Sequence, residues 1–417
     1  MVTGGENTNF WRVLHPSAWP KAPSWMSFST LMELEICPRR YALTTAEYSN
    51  VWKYRGYPSV PQPSALEGTV VHLTLQKITK ALLERGCPSL ADESAILTLR
   101  QLGGYTVAIM NSLERVLLPY KENPRTAPVL DGIRSRLTTR VPELRTKVQR
   151  FLSRIHPEPR AVRPGETVIR LEGEPRRALQ HGSHAEVLLQ APELGWHGVA
   201  DMLTLSTTQC EIRDFKTGAP KEDYKVQLWT YALLWARDGD LNPSGQLADR
   251  LVLSYDEGDA EVPAPSAGEL RFLEDQLRKR TAKALIDLQV DPPEARPGPK
   301  SCTYCAVRQL CDEYWRWYAQ SGGNNELAKS QVLDGQVKVS AQHGPSSWDC
   351  VVELGAGLKG GRPVLLRTGN LQFDLRSGQR LRLLDVYVSA PDEESGEGRS
   401  ALFVMTMRAN SEVFLLV

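Results

Sequence analysis

Long apolar runs are missing from this chain. Its 417 residues contain no stretch approaching the roughly 18 apolar residues that a membrane-spanning helix requires. Met1 to Ser24 has no basic start followed by an apolar core, so it does not read as a secretory leader. Both absences point to a cytoplasmic protein with no membrane partner. There is no Gly-x4-Gly-Lys-Ser/Thr, so no P-loop motor is built in, and there is no internal repeat. A dominant sign of charge is also missing: the net charge is +1, which by itself argues neither for nor against a nucleic-acid partner. With 41% hydrophobic and 24% charged residues, the composition does not suggest large-scale disorder and is enough for two domains, each with its own core.

Cysteine is scarce but patterned. There are seven, an odd number, and in a reducing compartment Cys302-x2-Cys305-x5-Cys311 reads as metal ligation or redox chemistry before it reads as disulfides. Three thiolates leave one position of a four-ligand site unfilled, and the lone Cys37, 265 residues before Cys302, supplies the fourth. Four thiolates suit both structural Zn²⁺ and a 4Fe-4S cluster, and the spacing does not separate them. Cys87, Cys210 and Cys350 have no such spacing and read as buried structural thiols.

The order of elements is expected to be as follows. Ser27-Phe28-Ser29 caps a first helix that ends near Cys37. A second helix spans 66–84, and a helical insertion spans 88–160. Strands follow over 167–172, 185–190, 196–205 and 210–215, then a helix over 223–237, a strand over 251–255 and a long helix over 268–288. This is an α/β fold, a mixed-sheet core with large helical insertions. Pro292, Pro293, Pro297 and Pro299 break the chain before the cysteine segment 302–311, and Ser321 to Asn325 reads as a linker. Beyond it, 331–417 has five or six short strands and is best read as a small all-β barrel. The expected division is therefore an extension over 1–24, a main domain over 25–320 and the barrel over 331–417.

Between Lys121 and Arg170 there are 12 Lys and Arg against 5 Asp and Glu. Leu144, Val148, Phe151 and Ile155 form an apolar helical stripe, with Lys147, Arg150 and Arg154 beside it. That basic row reads either as a track for a phosphate backbone or as a solvated flank of snorkelling side chains.

Asp214 and Lys216 are two apart in a strand and project from one face. If the preceding turn is centred on Thr207-Thr208, the register sets Asp201 opposite Asp214, with Cβ atoms roughly 4.5–5.5 Å apart. Two carboxylates so close repel unless a cation or a proton lies between them. A Mg²⁺ resolves this, with the backbone carbonyl of Phe215 as a further oxygen ligand. Lys216 is then placed to orient or deprotonate the attacking water and to stabilise the transition state. Gly198, three residues before Asp201, permits close backbone approach. Gln227 and Tyr231 share a helix face one turn apart and could reach a phosphate or base. Taken singly, that pair is an ordinary helix surface, and His72 an ordinary structural histidine.

Taken in order, Ser27-x-Ser29, Cys37-Pro38-Arg39-Arg40-Tyr41, Gly68-x3-His72, Gly198-x2-Asp201, Asp214-x-Lys216 and Gln227-x3-Tyr231 resemble the RecB-like branch of the PD-(D/E)XK nucleases over roughly residues 25–315. The resemblance implies a restriction-endonuclease-like core. It implies His72, Asp201 and Asp214 as metal ligands, Lys216 as the catalytic lysine, and Gln227 and Tyr231 as substrate-positioning residues. An imidazole ligand would also suit Mn²⁺. The split cysteine pattern is similar to that of the AddB type and the CRISPR-associated RecB-type exonucleases, which implies a 4Fe-4S cluster on Cys37, Cys302, Cys305 and Cys311 as a structural clasp.

The barrel is similar to an OB fold around Ser377-Gly378-Gln379-Arg380-Leu381. It would offer a groove for single-stranded nucleic acid, with Trp348, Phe373, Tyr387 and Phe403 as the aromatic candidates, or a surface for docking protein. The expected function is a metal-dependent DNase in repair or defence that acts on single strands or DNA ends as an exonuclease, with a partner protein supplying any motor or targeting. The alternative is a non-catalytic nucleic-acid-binding or assembly subunit that retains a nuclease-like core.

Overall fold

The structure is a computed structural model that describes residues 11–158, 176–321, 331–369, 375–390, 402–408 and 410–416. The strand expected over 167–172, residue Phe373 and residues 322–325 of the expected linker lie outside the described residues.

A two-residue strand, β1 (Trp11–Arg12), comes first. Helices α1 (Phe28–Ile36), α2 (Pro38–Thr45) and α3 (Pro63–Glu84) follow. The insertion supplies α4 (Glu93–Gln101), α5 (Gly104–Leu117), α6 (Leu130–Thr139) and α7 (Val141–Leu152). The central elements are β2 (Gly182–Ala191), β3 (Trp196–Leu205), β4 (Cys210–Lys216), α8 (Glu222–Arg237), β5 (Arg250–Tyr255), β6 (Asp259–Val262) and α9 (Ala267–Gln289). The short α10 (Pro299–Cys302) and α11 (Asp312–Ser321) carry the cysteine segment.

Strands β2 to β6 form one sheet in chain order. Only β4 and β5 run parallel, so the sheet is mixed. Its two faces bury different helices. Leu203, Leu205, Ile212, Leu251 and Leu253 pack with α1, α8 and α9 on one side, while Met202 and Phe215 pack with α3, α5 and α7 on the other. The apolar stripe of α7 is buried as its period requires, and Phe151 meets Phe215 edge-on at 5.8 Å. The basic row beside it is not a free track: Arg150 pairs with Asp256 at 3.3 Å and Arg154 with Asp259 at 3.0 Å. Two of its three cations are spent on holding the insertion to the β5–β6 turn.

The C-terminal strands are β7 (Gln331–Gly344), β8 (Ser347–Gly355), β9 (Pro363–Thr368), β10 (Arg380–Ser389), β11 (Phe403–Met407) and β12 (Glu412–Leu416). Five of them close a barrel in the order β7-β8-β9-β11-β10, with β10 returning to β7 and β9 parallel to β11. Strand β12 pairs with β10, and β1 adds to β12 in parallel, so the N-terminal segment is stitched into the barrel's sheet. Trp348 lies in the barrel core, whereas Tyr387 and Phe403 are half-buried, each under an arginine, Arg408 and Arg362.

The barrel docks on the cysteine segment. Leu384 and Phe414 share a core with Cys302, Cys305, Cys311, Tyr314 and Trp315. Around that core Arg308 pairs with Asp334 and Asp385, and Arg382 donates to the Gln309 carbonyl and pairs with Asp312. Arg125 reaches over from the insertion to hold Glu412 through two hydrogen bonds of 2.7 and 2.6 Å.

Candidate active site

The site is assembled where β2, β3 and β4 run level. The β3–β4 register passes from Leu205↔Cys210 to Met202↔Arg213, as a turn centred on Thr207-Thr208 requires. One step further the backbone ladder gives way, and the Asp201 Oδ2 carboxylate oxygen accepts the Phe215 N–H at 2.6 Å. The β2–β3 register sets Ala185 against Met202 and Val187 against Ala200, so Glu186 stands level with Asp201. Glu186, Asp201 and Asp214 thus form a row across three neighbouring strands. Glu186 has φ +55°, a left-handed backbone costly for a residue with a Cβ. Strict alternation also fails at Asp201, because Ala200 and Leu203, three apart, both face the α8 side. Apolar residues keep to the core on either side of this break, and the acids occupy the break itself.

Helix α3 brings the imidazole. A Cβ on Gly68 would lie 2.8 Å from Thr217 Oγ1, so glycine lets α3 close onto the turn after β4 without displacing the Thr217 side chain. One helical turn later, His72 Nε2 reaches Asp201 Oδ1 at 2.9 Å. His72, Glu186 and Asp201 each offer an atom within 4.8 Å of the others, a group able to hold a metal ion. The sequence reading missed Glu186. A single glutamate in a strand has no motif, and only its level with Asp201 would have pointed to it.

The lysine is held from both sides. Lys216 Nζ lies 2.5 Å from Asp214 Oδ2 and donates to Gln227 Oε1 at 2.7 Å. Gln227 Nε2 in turn donates to the Tyr231 hydroxyl at 2.8 Å. Tyr231 is buried, and its ring explains Gly198: a Cβ there would meet Tyr231 Cε1 at 2.8 Å. The pair therefore runs inward, from the lysine to the packing of α8 on β3.

Electrostatics mark the row as charge-strained. Burial, with the Asp201 and Asp214 charges added, pushes Glu186 up to about 7. Burial and then Asp201 hold the Asp214 carboxyl above the ordinary carboxylate range, with Lys216 and His72 opposing. The hydrogen bond to Asp201 lifts His72 to about 9 despite burial. Acids that protonate this readily are poised for a cation to replace the protons. Carboxylate and imidazole donors suit Mg²⁺ or Mn²⁺.

Residues 25–312 match the family model for the PD-(D/E)XK nuclease superfamily. The chain belongs to that superfamily. PD-(D/E)XK proteins are in general nucleases that use divalent metals. Among solved structures, the crystal structure of SSO0001 is 21% identical with a TM-score of 0.20. That alignment covers 31% of this chain and 60% of the other, so this chain spans less than two thirds of that protein's length. No curated protein matches the chain. Among the described residues no helix is long and apolar enough to cross a membrane.

A second buried site lies outside the sheet. Cys37, Cys302, Cys305 and Cys311 are all buried and line one small cavity. Cys37 separates α1 from α2, and the residues after it fasten the distal segment. Arg39 pairs with Glu313 at 3.1 Å and donates to the Pro293 carbonyl at 2.8 Å, and Arg40 donates to the Ser301 carbonyl. The backbone N–H groups of Arg296 and Gly298 point at Cys37 and Cys302 at 3.5 Å, and those of Val307 and Tyr314 favour the thiolates of Cys305 and Cys311. Burial pushes the Cys305 and Cys311 thiols up to about 11 and about 12. Four thiols, each offered an amide, fit a centre that stabilises thiolates.

Proposed function

We propose that this protein is a deoxyribonuclease that hydrolyses phosphodiester bonds with Mg²⁺ or Mn²⁺, acting on single strands or free DNA ends. The observation that carries the reading is the Lys216 ammonium fixed between Asp214 and Gln227, beside a carboxylate row that His72 completes. His72, Glu186, Asp201, Asp214 and the Phe215 carbonyl would hold the cation. Bound there, a divalent ion neutralises charge on the phosphate and makes water a better nucleophile. Lys216 supplies positive charge where the transition state gathers negative charge, and orients the attacking water. Gln227 and Tyr231 keep that ammonium in place, which makes them positioning residues. Asp201, bonded to Phe215 N–H and His72, fixes the spacing of the row.

For the four cysteines we favour a 4Fe-4S cluster over zinc. The support is the split spacing, one Cys before the core and three after it, which is similar to that of iron–sulfur exonucleases, together with four buried thiols that line one cavity. The barrel is read as OB-like from its strand order and its parallel β9–β11 pair. We keep the division into a nuclease domain over 25–320 and a barrel over 331–417, with β1 as a strap between chain start and barrel. A cytoplasmic location and a partner that supplies a motor complete the reading.

The test is digestion of end-labelled single- and double-stranded DNA with Mg²⁺ or Mn²⁺, with a circular control. Linear strands should be degraded and circles spared, and Lys216→Ala should abolish cleavage without loss of fold or DNA binding. Cleavage that persists in a clean Lys216→Ala preparation would overturn the assignment. Binding without any metal-dependent cleavage by the unaltered protein would favour an assembly subunit instead.

A further inference from the structure

Two tyrosines at the mouth of the site are left without a task by the reading above. Tyr224 lies in the first turn of α8, and its ring takes Lys216 Nζ at 4.5 Å and Lys221 Nζ at 5.8 Å. Tyr255 is level with Lys216 on the parallel neighbour β5. It follows Leu251 and Leu253 on the face that carries Asp214 and Lys216. Both tyrosines are half-buried. Both rings also pack against the edge of the same apolar core, the one shared by α8 and β5.

The contrast with Tyr231 is informative. Tyr231 is buried and its hydroxyl is bonded to Gln227, so it has a structural post. Among the described residues, neither the Tyr224 nor the Tyr255 hydroxyl makes a hydrogen bond. A half-exposed ring with an unused hydroxyl offers mainly its π-face, and π-faces beside a phosphate-binding cation are what nucleobases stack on. In a duplex the base faces are already stacked on their neighbours, so only an unpaired base can use such a surface without an unstacking cost.

We propose that Tyr224 and Tyr255 form a ledge on which an unpaired base of single-stranded DNA stacks, next to the phosphate that Lys216 addresses. The proposal rests on the nuclease reading for its substrate, but it concerns binding and can be measured without cleavage. The ledge would make the site favour a frayed or single strand. It also gives Tyr224 a second role, because one ring then packs both the lysine and the base.

The experiment uses the full chain carrying Asp214→Asn, which leaves Lys216 and both tyrosines in place, and a short single-stranded oligonucleotide containing 2-aminopurine. Binding should quench the fluorophore at one nucleotide position. Tyr224→Ala and Tyr255→Ala should each weaken binding by about ten-fold, the Phe variants should stay within about two-fold of the parent, and duplex binding should not change. An abasic nucleotide at the quenched position should reproduce the loss and make the Ala variants silent. If an Ala variant fails to fold, the abasic scan on the protein with both tyrosines still decides. An abasic scan with no sensitive position, Phe variants as weak as Ala, or an equal loss on duplex would overturn the ledge. Absence of cleavage by the unaltered protein would remove the nuclease reading and leave this binding result standing.

Discussion

The carboxylate row and the cysteine centre are both buried and both built from residues distant in sequence, yet they are held in opposite ways. The row is set by the register of three adjacent strands within about 30 residues, with α3 and α8 closing on it through Gly68 and Gly198. Its charges are poorly neutralised: Glu186 and Asp214 are both pushed up, and Asp214 Oδ2 makes no well-formed hydrogen bond beyond its ion pair. The cysteine centre is closed by long-range contacts from the residues after Cys37 to residues 293–313 and is flanked by Arg39, Arg40, Arg308 and Arg382, each held in an ion pair or hydrogen bond. A site left electrostatically strained is organised for chemistry, and one saturated with partners is organised for holding units together.

The sharpest way to break that comparison is to remove one member from each site. Cys311→Ala should cost the fold more than about 5 kcal/mol, the range reserved for loss of a metal or a cross-link. It should also release α11 and with it the barrel, because Tyr314, Trp315, Leu384 and Phe414 share the core around the cysteines. Asp214→Asn should leave unfolding unchanged or raise the midpoint, since it removes a buried charge next to Asp201. Denaturant unfolding of the two variants measures the difference. Equal costs would mean that the cysteines are ordinary core residues.

The two sites were not equally legible in the sequence. The Asp201–Asp214 register could be read because one symmetric turn at Thr207-Thr208 fixes it, and period two then dictates which side chains share a face. Glu186 could not, because the β2–β3 connection passes through a short helical turn at Pro192–Leu194, and no local signal sets that register. The pairing of the basic row was hidden for a similar reason: Asp256 and Asp259 arrive about 100 residues later. A two-residue parallel strand such as β1 has no periodicity to detect, so the N-terminal stretch looked like an extension. What the sequence could carry for the cysteines was spacing and count. The arginine contacts that turn them into a joint depend on the barrel's docking, which no motif describes.

A smaller effect should appear at the joint between insertion and barrel. Arg125 is buried, spans Glu412 in a bidentate pair, donates to the Pro58 and Ala306 carbonyls, and lies over Tyr57 and Phe414. Arg125→Ala leaves two carbonyls and a partly buried carboxylate without partners, at a cost of about 3 kcal/mol. Arg125→Lys should recover little of this, since an ammonium cannot bridge both carboxylate oxygens and stack at once. Limited proteolysis should then release residues 331–417 while the remaining fragment stays folded. Unchanged proteolysis would show that the docking rests on the apolar core alone.

The smallest effect belongs to the strained row and is read through protons. In the metal-free protein His72 holds its proton up to about 9 and Glu186 up to about 7. Both folded-state values are raised, so at neutral pH a cation must displace protons from both, and Mn²⁺ affinity should climb as pH rises from 6 toward 9 and then flatten. Glu186→Gln removes one of those protons and replaces a carboxylate ligand with a neutral amide oxygen, so affinity should fall roughly ten-fold at pH 8 while the slope against pH becomes shallower between 6 and 8. Calorimetric titration in two buffers of different ionisation heat counts the protons directly. A variant that releases as many protons as the parent would place Glu186 outside the ligand set, and the row would then end at Asp201, leaving the left-handed backbone at residue 186 without a functional account.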